Sequence, residues 1–164
     1  MALNLDSKKA VVEEVAQYAA KAYSAVAAEY RGLTVTELTA MRKKARETGV
    51  YLRVVKNTLA KRAVAGTEFE CMQDGLVGPL ILAFSMEDPG SAARLISEFA
   101  KTQDKLKTQV VAIGGVAYGP SELERLAKLP TRDQGISMLM SVMKAPVQKL
   151  VRTLDALREQ KEAA

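Results

Sequence analysis

Hydrophobic and polar residues alternate along the chain at spacings typical of helices and strands in turn. Apolar positions three or four residues apart predict a first helix over Leu5 to Tyr23, and Ser24 to Tyr30 has the composition of a strand. Thr34 and Glu37 form a capping-box pattern that opens a second helix, which is expected to end at Gly49. The predicted buried stripe of that helix consists of Val35, Leu38, Met41 and Ala45.

The same alternation continues as far as Pro130. Asn57 is expected to cap the third helix, and Gly114 with Gly115 is interpreted as a turn that ends the last strand. Four strands interleaved with helices predict a layered α+β domain over residues 1–130. The remaining predicted elements are strands over Val50 to Lys56, Leu80 to Phe84 and Lys107 to Ile113, a helix from Asp88-Pro89 to about Thr102, and a short helix opened by a Ser121–Glu124 capping box.

The chain changes character after Pro130. Residues 131–164 have no strand pattern and are predicted to form two helical segments separated by Ala145-Pro146. Each segment carries an apolar stripe, which must be covered either by a protein partner or by folding back as a terminal core helix. The stripe residues are Ile136, Leu139, Met140, Met143, Val147, Leu150, Val151, Leu154 and Leu157.

Composition excludes several classes of function. The 164 residues contain no histidine and a single cysteine, Cys71, so the usual general base, internal disulfides and multi-thiolate metal sites are ruled out. Glu13 and Glu14 interrupt any signal-peptide core, and the longest apolar run, Gly75 to Phe84, is too short to span a bilayer. We therefore expect a cytoplasmic protein without a metal or cofactor.

Positive charge is concentrated between Arg31 and Gly66. Nine cations and two acidic residues give this segment a net charge of +7, and the rest of the chain carries −2. Such a concentration is typical of a phosphate-binding surface, although a solvated basic helix face would show the same composition. The cations are Arg31, Arg42, Lys43, Lys44, Arg46, Arg53, Lys56, Lys61 and Arg62.

Two patterns within this segment favour an anionic ligand. Arg42 and Arg46 lie one helical turn apart, where an external anion would relieve their repulsion. From Arg53 to Thr58, a strand that ends in cations runs directly into the N-terminus of a helix, where backbone N–H groups attract anions. We favour a phosphate-binding site here over the alternative, a simple Asn cap with exposed cations beside it. Tyr30 and Tyr51 could stack on bases, but core packing is the favoured interpretation of both.

Catalytic patterns are weak. Ser141 to Lys144 matches the four-residue motif of acyl-serine enzymes but lacks its companion motifs, and Gly114 to Gly119 does not have dinucleotide-binding spacing. The basic segment is therefore interpreted as an RNA-binding surface. Two alternatives remain open: a small enzyme that acts on a phosphorylated substrate, and a protein adaptor whose basic face binds an acidic protein.

Six segments distributed over the chain carry a resemblance to a known family. They are Met1–Leu5 (MALNL), Tyr30–Val35 (YRGLTV), Gly49–Leu59 (GVYLRVVKNTL), Val77–Pro79 (VGP), Leu150–Leu154 (LVRTL) and Lys161–Ala164 (KEAA). The family that they resemble is that of the bacterial ribosomal proteins at the base of the lateral stalk of the large subunit. The resemblance covers the whole chain and implies a ferredoxin-like plait that binds large-subunit ribosomal RNA beside another stalk-base protein, followed by a C-terminal helix that carries acidic stalk dimers.

The resemblance also implies an organisational role without catalysis. The stalk dimers recruit GTP-bound translation factors, two dimers are expected on so short a helix, and free protein bound to its partner is expected to repress its own messenger RNA. Charge pattern and resemblance together give as candidate RNA-contact residues Arg31, Gly32, Arg42, Lys43, Arg46, Arg53, Lys56, Asn57, Thr58, Lys61 and Arg62. The candidate partner-contact residues are Ile136, Leu139, Met143, Val147, Leu150, Val151, Leu154 and Leu157.

Overall fold

Alternating residues of the central strand face two different hydrophobic clusters, so helices cover both faces of the sheet. Ala25 and Ala27 pack in one cluster with α1 (Leu5–Lys21) and α3 (Asn57–Val64). Val26 and Ala28 pack in the other with α2 (Val35–Glu47) and α4 (Ser91–Thr102). The period of two along a strand divides the core into these two layers.

The computed structural model describes residues 4–103 and 105–162. Residues Met1 to Leu3, Ala163 and Ala164 of the two terminal motifs lie outside these ranges. The other elements are β1 (Ser24–Glu29), β2 (Val50–Val54), β3 (Leu80–Ser85), β4 (Lys107–Ile113), β5 (Val116–Tyr118), α5 (Leu123–Ala127), α6 (Arg132–Glu162) and two 3-10 turns, Glu70–Gly75 and Pro120–Glu122.

The five strands form one antiparallel sheet in the order β2-β3-β1-β4-β5. The connections β1-α2-β2 and β3-α4-β4, with β3 and β1 at the centre, are those of a ferredoxin-like plait. The predicted α+β class is therefore confirmed, with one strand more than expected. The Gly114-Gly115 turn does not end the sheet, because both glycines adopt positive φ and return the chain along β4 as β5.

Local predictions succeeded and failed for identifiable reasons. The Thr34–Glu37 capping box is present, but Val35 is 78% exposed, since it lies in the first turn and faces away from Met41 and Ala45. The Ser121–Glu124 capping box is wrong, because Pro120 to Glu122 forms a 3-10 turn and α5 has no side-chain cap. The fourth helix begins at Ser91, after the predicted Asp88-Pro89 start.

The chain divides into two compact units, one ending at Leu129 and the other beginning at Pro130. The second unit is dominated by α6, a single helix that continues through Pro146. The prediction of two separate helical segments is therefore wrong: Pro146 removes one backbone donor but does not end the helix. No helix in the described ranges is long and apolar enough to cross a membrane.

Candidate nucleic-acid interface

Four loops meet at one end of the sheet because neighbouring strands are antiparallel. Glu29 at the end of β1 pairs with Leu80 at the start of β3 and with Lys107 at the start of β4, while Val54 at the end of β2 pairs with Ile81. We call this region the loop end of the sheet. It gathers Arg31, Gly32, Lys56, Asn57, Thr58, Gly78, Pro79, Lys105 and Lys107.

Gly32 and Lys105 approach each other at the loop end, although they are distant in sequence. Gly32 has φ +88°, and a Cβ added there would lie 3.2 Å from Cδ of Lys105. Both the conformation and the close approach favour glycine. Lys105 and Lys107 are not among the residues predicted from the sequence, because they lie outside the basic segment and reach this region through the pairing of β4 with β1.

Asn57 does not cap α3, contrary to prediction. Its Nδ2 donates a 2.8 Å hydrogen bond to the carbonyl oxygen of Gly78, and the residue at the N-cap position, Lys56, makes no side-chain cap. The Asn57 side chain bonds to Gly78 and not to the backbone of its own helix, because Gly78, at φ +91°, brings its carbonyl group to the β2–α3 junction. The first turn of α3 therefore has no side-chain cap within the described residues.

Arg53 lies on the α1 side of β2 and forms an ion pair with Glu14. It also donates a 3.0 Å hydrogen bond to the hydroxyl oxygen of Tyr51, whose own hydroxyl donates to Glu14 at 2.8 Å. These contacts lower the pKa of Glu14, with the hydrogen bond from Arg53 as the largest cause and that from Tyr51 next. Part of the positive charge of Arg53 is thus neutralised within the fold.

Tyr51 is engaged in packing. Its ring stacks on Tyr18 with centroids 3.8 Å apart and contacts the cluster around Phe84. Burial is the largest influence on its hydroxyl and raises the pKa of Tyr51. This agrees with the favoured interpretation of core packing, and Tyr30 likewise packs, half-buried, against the α2 and α4 layer.

The predicted cations occupy two layers of the unit. Lys61 and Arg62 follow the loop end along α3, whereas Arg42, Lys43 and Arg46 are exposed on α2, on the opposite face of the sheet. Lys61 and Arg62 therefore lie within two turns of the loop end on one face of the sheet, and the three α2 cations lie on the other face.

Lys44 differs from its neighbours on α2. Its ammonium group pairs with Glu98 at 2.6 Å and lies 5.3 Å from the ring centre of Phe99. Its charge therefore supports the packing of α2 on α4.

The predicted partner residues of α6 lie along one face of a continuous helix. At 100° per residue, all eight fall within an arc of about 120°, and Met140 falls within it as well. Their exposed fractions range from 49% to 71%. The helix has 31 residues and is about 46 Å long, and the apolar stripe from Ile136 to Leu157 extends over about six of its turns.

Two family models match the chain, one described as ribosomal protein L10 over residues 3–101 and one as the C-terminal region of ribosomal protein uL10 over residues 129–164. The first covers more than half of the sequence. The chain belongs to the ribosomal protein L10 family. The resemblance inferred from the sequence motifs is thereby confirmed.

Curated relatives agree over the full length of this L10-family chain. Each is named large ribosomal subunit protein uL10. The relative from Methylococcus capsulatus is 69% identical and both chains are covered completely. Those from Thioalkalivibrio sulfidiphilus and Dichelobacter nodosus are each 62% identical, with all of this chain and at least 99% of the relative covered. The chain is thus a protein of the large ribosomal subunit and not an enzyme, and the enzyme alternative is set aside.

Proposed function

We propose that the first unit binds large-subunit ribosomal RNA through the loop end and α3, and that α6 anchors acidic stalk protein dimers. The dimers recruit GTP-bound translation factors, so this chain acts as the link between them and the RNA. The observation that carries the proposal is the convergence of cations from separate chain segments, Arg31, Lys56 and Lys105, on one end of the sheet.

The charge balance of the loop end supports phosphate binding. Glu29 accepts a 3.4 Å hydrogen bond from Gln109, and Glu37 of α2 lies close enough to Lys105 to offset part of its charge, whereas Arg31 and Lys56 are exposed and have no such neighbour among the contacts of the described residues. Lysine and arginine in this arrangement neutralise phosphates and release counterions, which gives affinity with strong salt dependence. Lys61 and Arg62 extend the same surface along α3, and the uncapped first turn at Asn57 and Thr58 adds backbone donors.

The remaining RNA-contact candidates differ in how much they contribute to RNA binding and in which part of the RNA they contact. Arg53 contributes less than a free cation because it is paired with Glu14. Arg42, Lys43 and Arg46 would contact a separate part of the RNA that reaches the α2 face. Gly32 contributes by allowing the close approach of Lys105.

The apolar stripe of α6 supports partner binding. Its eight predicted residues form a long exposed aliphatic face, and such a face on an amphipathic helix fits a hydrophobic groove in a partner. Six cations and four acidic residues give α6 a net charge of +2, which complements an acidic protein. Two dimers fit the proposal, one on each side of Pro146.

Two separable activities give a direct test. Deleting residues 131–164, which removes all of α6, is expected to leave RNA binding nearly intact and to abolish capture of the acidic stalk protein, measured with purified components. Loss of both activities together would contradict the division into two modules. Sedimentation of the tagged full chain with the large subunit, before and after nuclease treatment, separates RNA binding from an adaptor role, because an adaptor complex would survive nuclease.

The same RNA surface would serve autoregulation. Free protein bound to its stalk partner would occupy its own messenger RNA and repress translation. A reporter fused to that messenger leader should fall in expression when the wild-type chain is supplied in excess, and an Arg31, Lys56 and Lys61 triple alanine variant should leave expression unchanged.

A further inference from the structure

A cleft of about 430 Å³ opens at the loop end between three chain segments. Tyr30, Val54 and Pro79 provide apolar walls, and Lys56 and Thr58 stand at the polar side. Val54 is 37% exposed although it is aliphatic, and Pro79 is exposed as well. The basic surface therefore contains an apolar depression that phosphate binding alone does not require.

The walls of the cleft are fixed by hydrogen bonds. The side chain of Asn57 binds the carbonyl oxygen of Gly78 at 2.8 Å, and the backbone N–H of Tyr30 donates to the carbonyl oxygen of Pro79 at 3.3 Å. These two bonds tie the β2–α3 junction and the end of β1 to the loop before β3. A site that is already formed costs little ordering entropy when a ligand enters.

The chemistry of the lining favours one class of ligand. No carboxylate lines the cleft among residues 4–103 and 105–162, and an aromatic ring and aliphatic side chains lie beside a lysine. Unpaired nucleobases stack on aromatic and apolar side chains while the adjoining phosphate pairs with a cation. An acidic peptide would match the lysine but leave the aromatic wall without a flat partner.

We propose that this cleft binds one unpaired nucleobase of RNA, held against Tyr30 with its phosphate at Lys56. The inference rests on the proposed RNA-binding role of the loop end and adds a base contact to it. Phosphate contacts position the RNA without reading its bases, whereas a base seated in the cleft selects for an unpaired nucleotide at that place.

The test uses the full chain and large-subunit ribosomal RNA. Ultraviolet irradiation links nucleobases to adjacent side chains, and mass spectrometry identifies the linked peptide; hydroxyl-radical cleavage of the same complex reports protection of the RNA backbone. Tyr30→Leu removes the aromatic face, and Tyr30→Phe is the matched control that keeps it. Val54→Met, at an exposed edge-strand position, fills part of the cleft without adding an aromatic ring on which a base could stack.

We expect base crosslinks on peptides that contain Tyr30 or residues 54–58. Tyr30→Leu and Val54→Met should lose them, with about tenfold weaker binding for Tyr30→Leu and unchanged backbone protection at saturating protein, while Tyr30→Phe behaves as wild type. The unfolding midpoint of each variant is measured as well, to show that the variant is folded. The position of the crosslink in the wild-type chain tests the inference without any variant.

Backbone protection without base crosslinks at this cleft would overturn the base-binding inference and leave the proposed function standing. Base crosslinks that persist unchanged in both Tyr30→Leu and Val54→Met would overturn it as well. Absence of both backbone protection and crosslinks in the wild-type complex would overturn the proposed function itself.

Discussion

Nδ2 of Asn57 lies 2.8 Å from the carbonyl oxygen of Gly78, and this hydrogen bond joins the β2–α3 junction to the loop that precedes β3. The two residues are 21 positions apart in sequence. Asn57 is the first residue of α3, whereas Gly78 lies in the loop before β3, so the bond fixes the relative positions of two segments of the candidate RNA surface.

Removing this bond should destabilise the first unit modestly. Asn57→Ala is expected to lower the free energy of unfolding by about 1 kcal/mol, because a net hydrogen bond at a partly exposed site contributes about that much. Asn57→Asp also removes the donor, but a negative charge in the first turn of α3 interacts favourably with the helix dipole, so it should cost less than Asn57→Ala. Urea unfolding measures both, and an Ala variant as stable as wild type would show that the bond contributes nothing.

The Glu14 carboxylate should make the free energy of unfolding depend on pH in the acid range. Its pKa in the folded state lies below the ordinary value of 4.5, because Arg53 and Tyr51 donate hydrogen bonds to it. The folded state therefore binds this proton less readily than the unfolded state, and the stabilisation is complete above about pH 4.5 and is lost as the pH falls through the lowered value.

Glu14→Gln is expected to flatten the fall in unfolding free energy below pH 4.5. The Gln side chain cannot ionise, so position 14 contributes no pH dependence to the unfolding free energy of the variant. Glu13→Gln is the matched control on the exposed side of α1 and should keep the acid dependence of the wild type. Parallel curves for wild type and Glu14→Gln would remove the ion pair with Arg53 as a source of that dependence.

The salt dependence of RNA binding should distinguish free cations from paired ones. Lys56→Ala is expected to reduce the slope of log affinity against log salt by nearly one unit. Arg53→Ala should reduce it less, because the Arg53 guanidinium is paired with Glu14. Lys128→Ala, an exposed lysine after α5, is the control. Equal slopes for Lys56→Ala and wild type would exclude Lys56 from the interface.

The stripe on α6 should bind its partner through one face only. Leu154 lies near the centre of the 120° arc, and Leu154→Ala is expected to weaken capture of the acidic stalk protein about tenfold or more. Met138 is similarly exposed but points to the opposite side of the helix, so Met138→Ala should leave capture unchanged. Titration of the labelled partner measures both, and equal losses would contradict a single binding face.

Features encoded by neighbouring residues were predictable from the sequence. The Thr34 capping box needs only residues three apart, and the period-two pattern of β2 places Tyr51 and Val55 in one layer and Val50 and Leu52 in the other. The stripe on α6 follows from helical spacing in the same way, even though continuity through Pro146 was missed.

Features that depend on distant partners were not predictable. The pairing of Arg53 with Glu14 depends on α1 packing beside β2, and the contribution of Lys105 depends on the register of β4 against β1. The strand β5 has only three residues, too few for an alternating pattern to stand out beside two glycines.

The bare aliphatic face of α6 has a consequence for the life of the free chain in a cell. Chaperones and proteases identify damaged or incomplete proteins by runs of solvent-facing apolar side chains, and this helix displays such a run in its native state. A copy that fails to join an assembly therefore resembles a misfolded protein to quality control, and its survival should depend on how quickly that face is covered after synthesis.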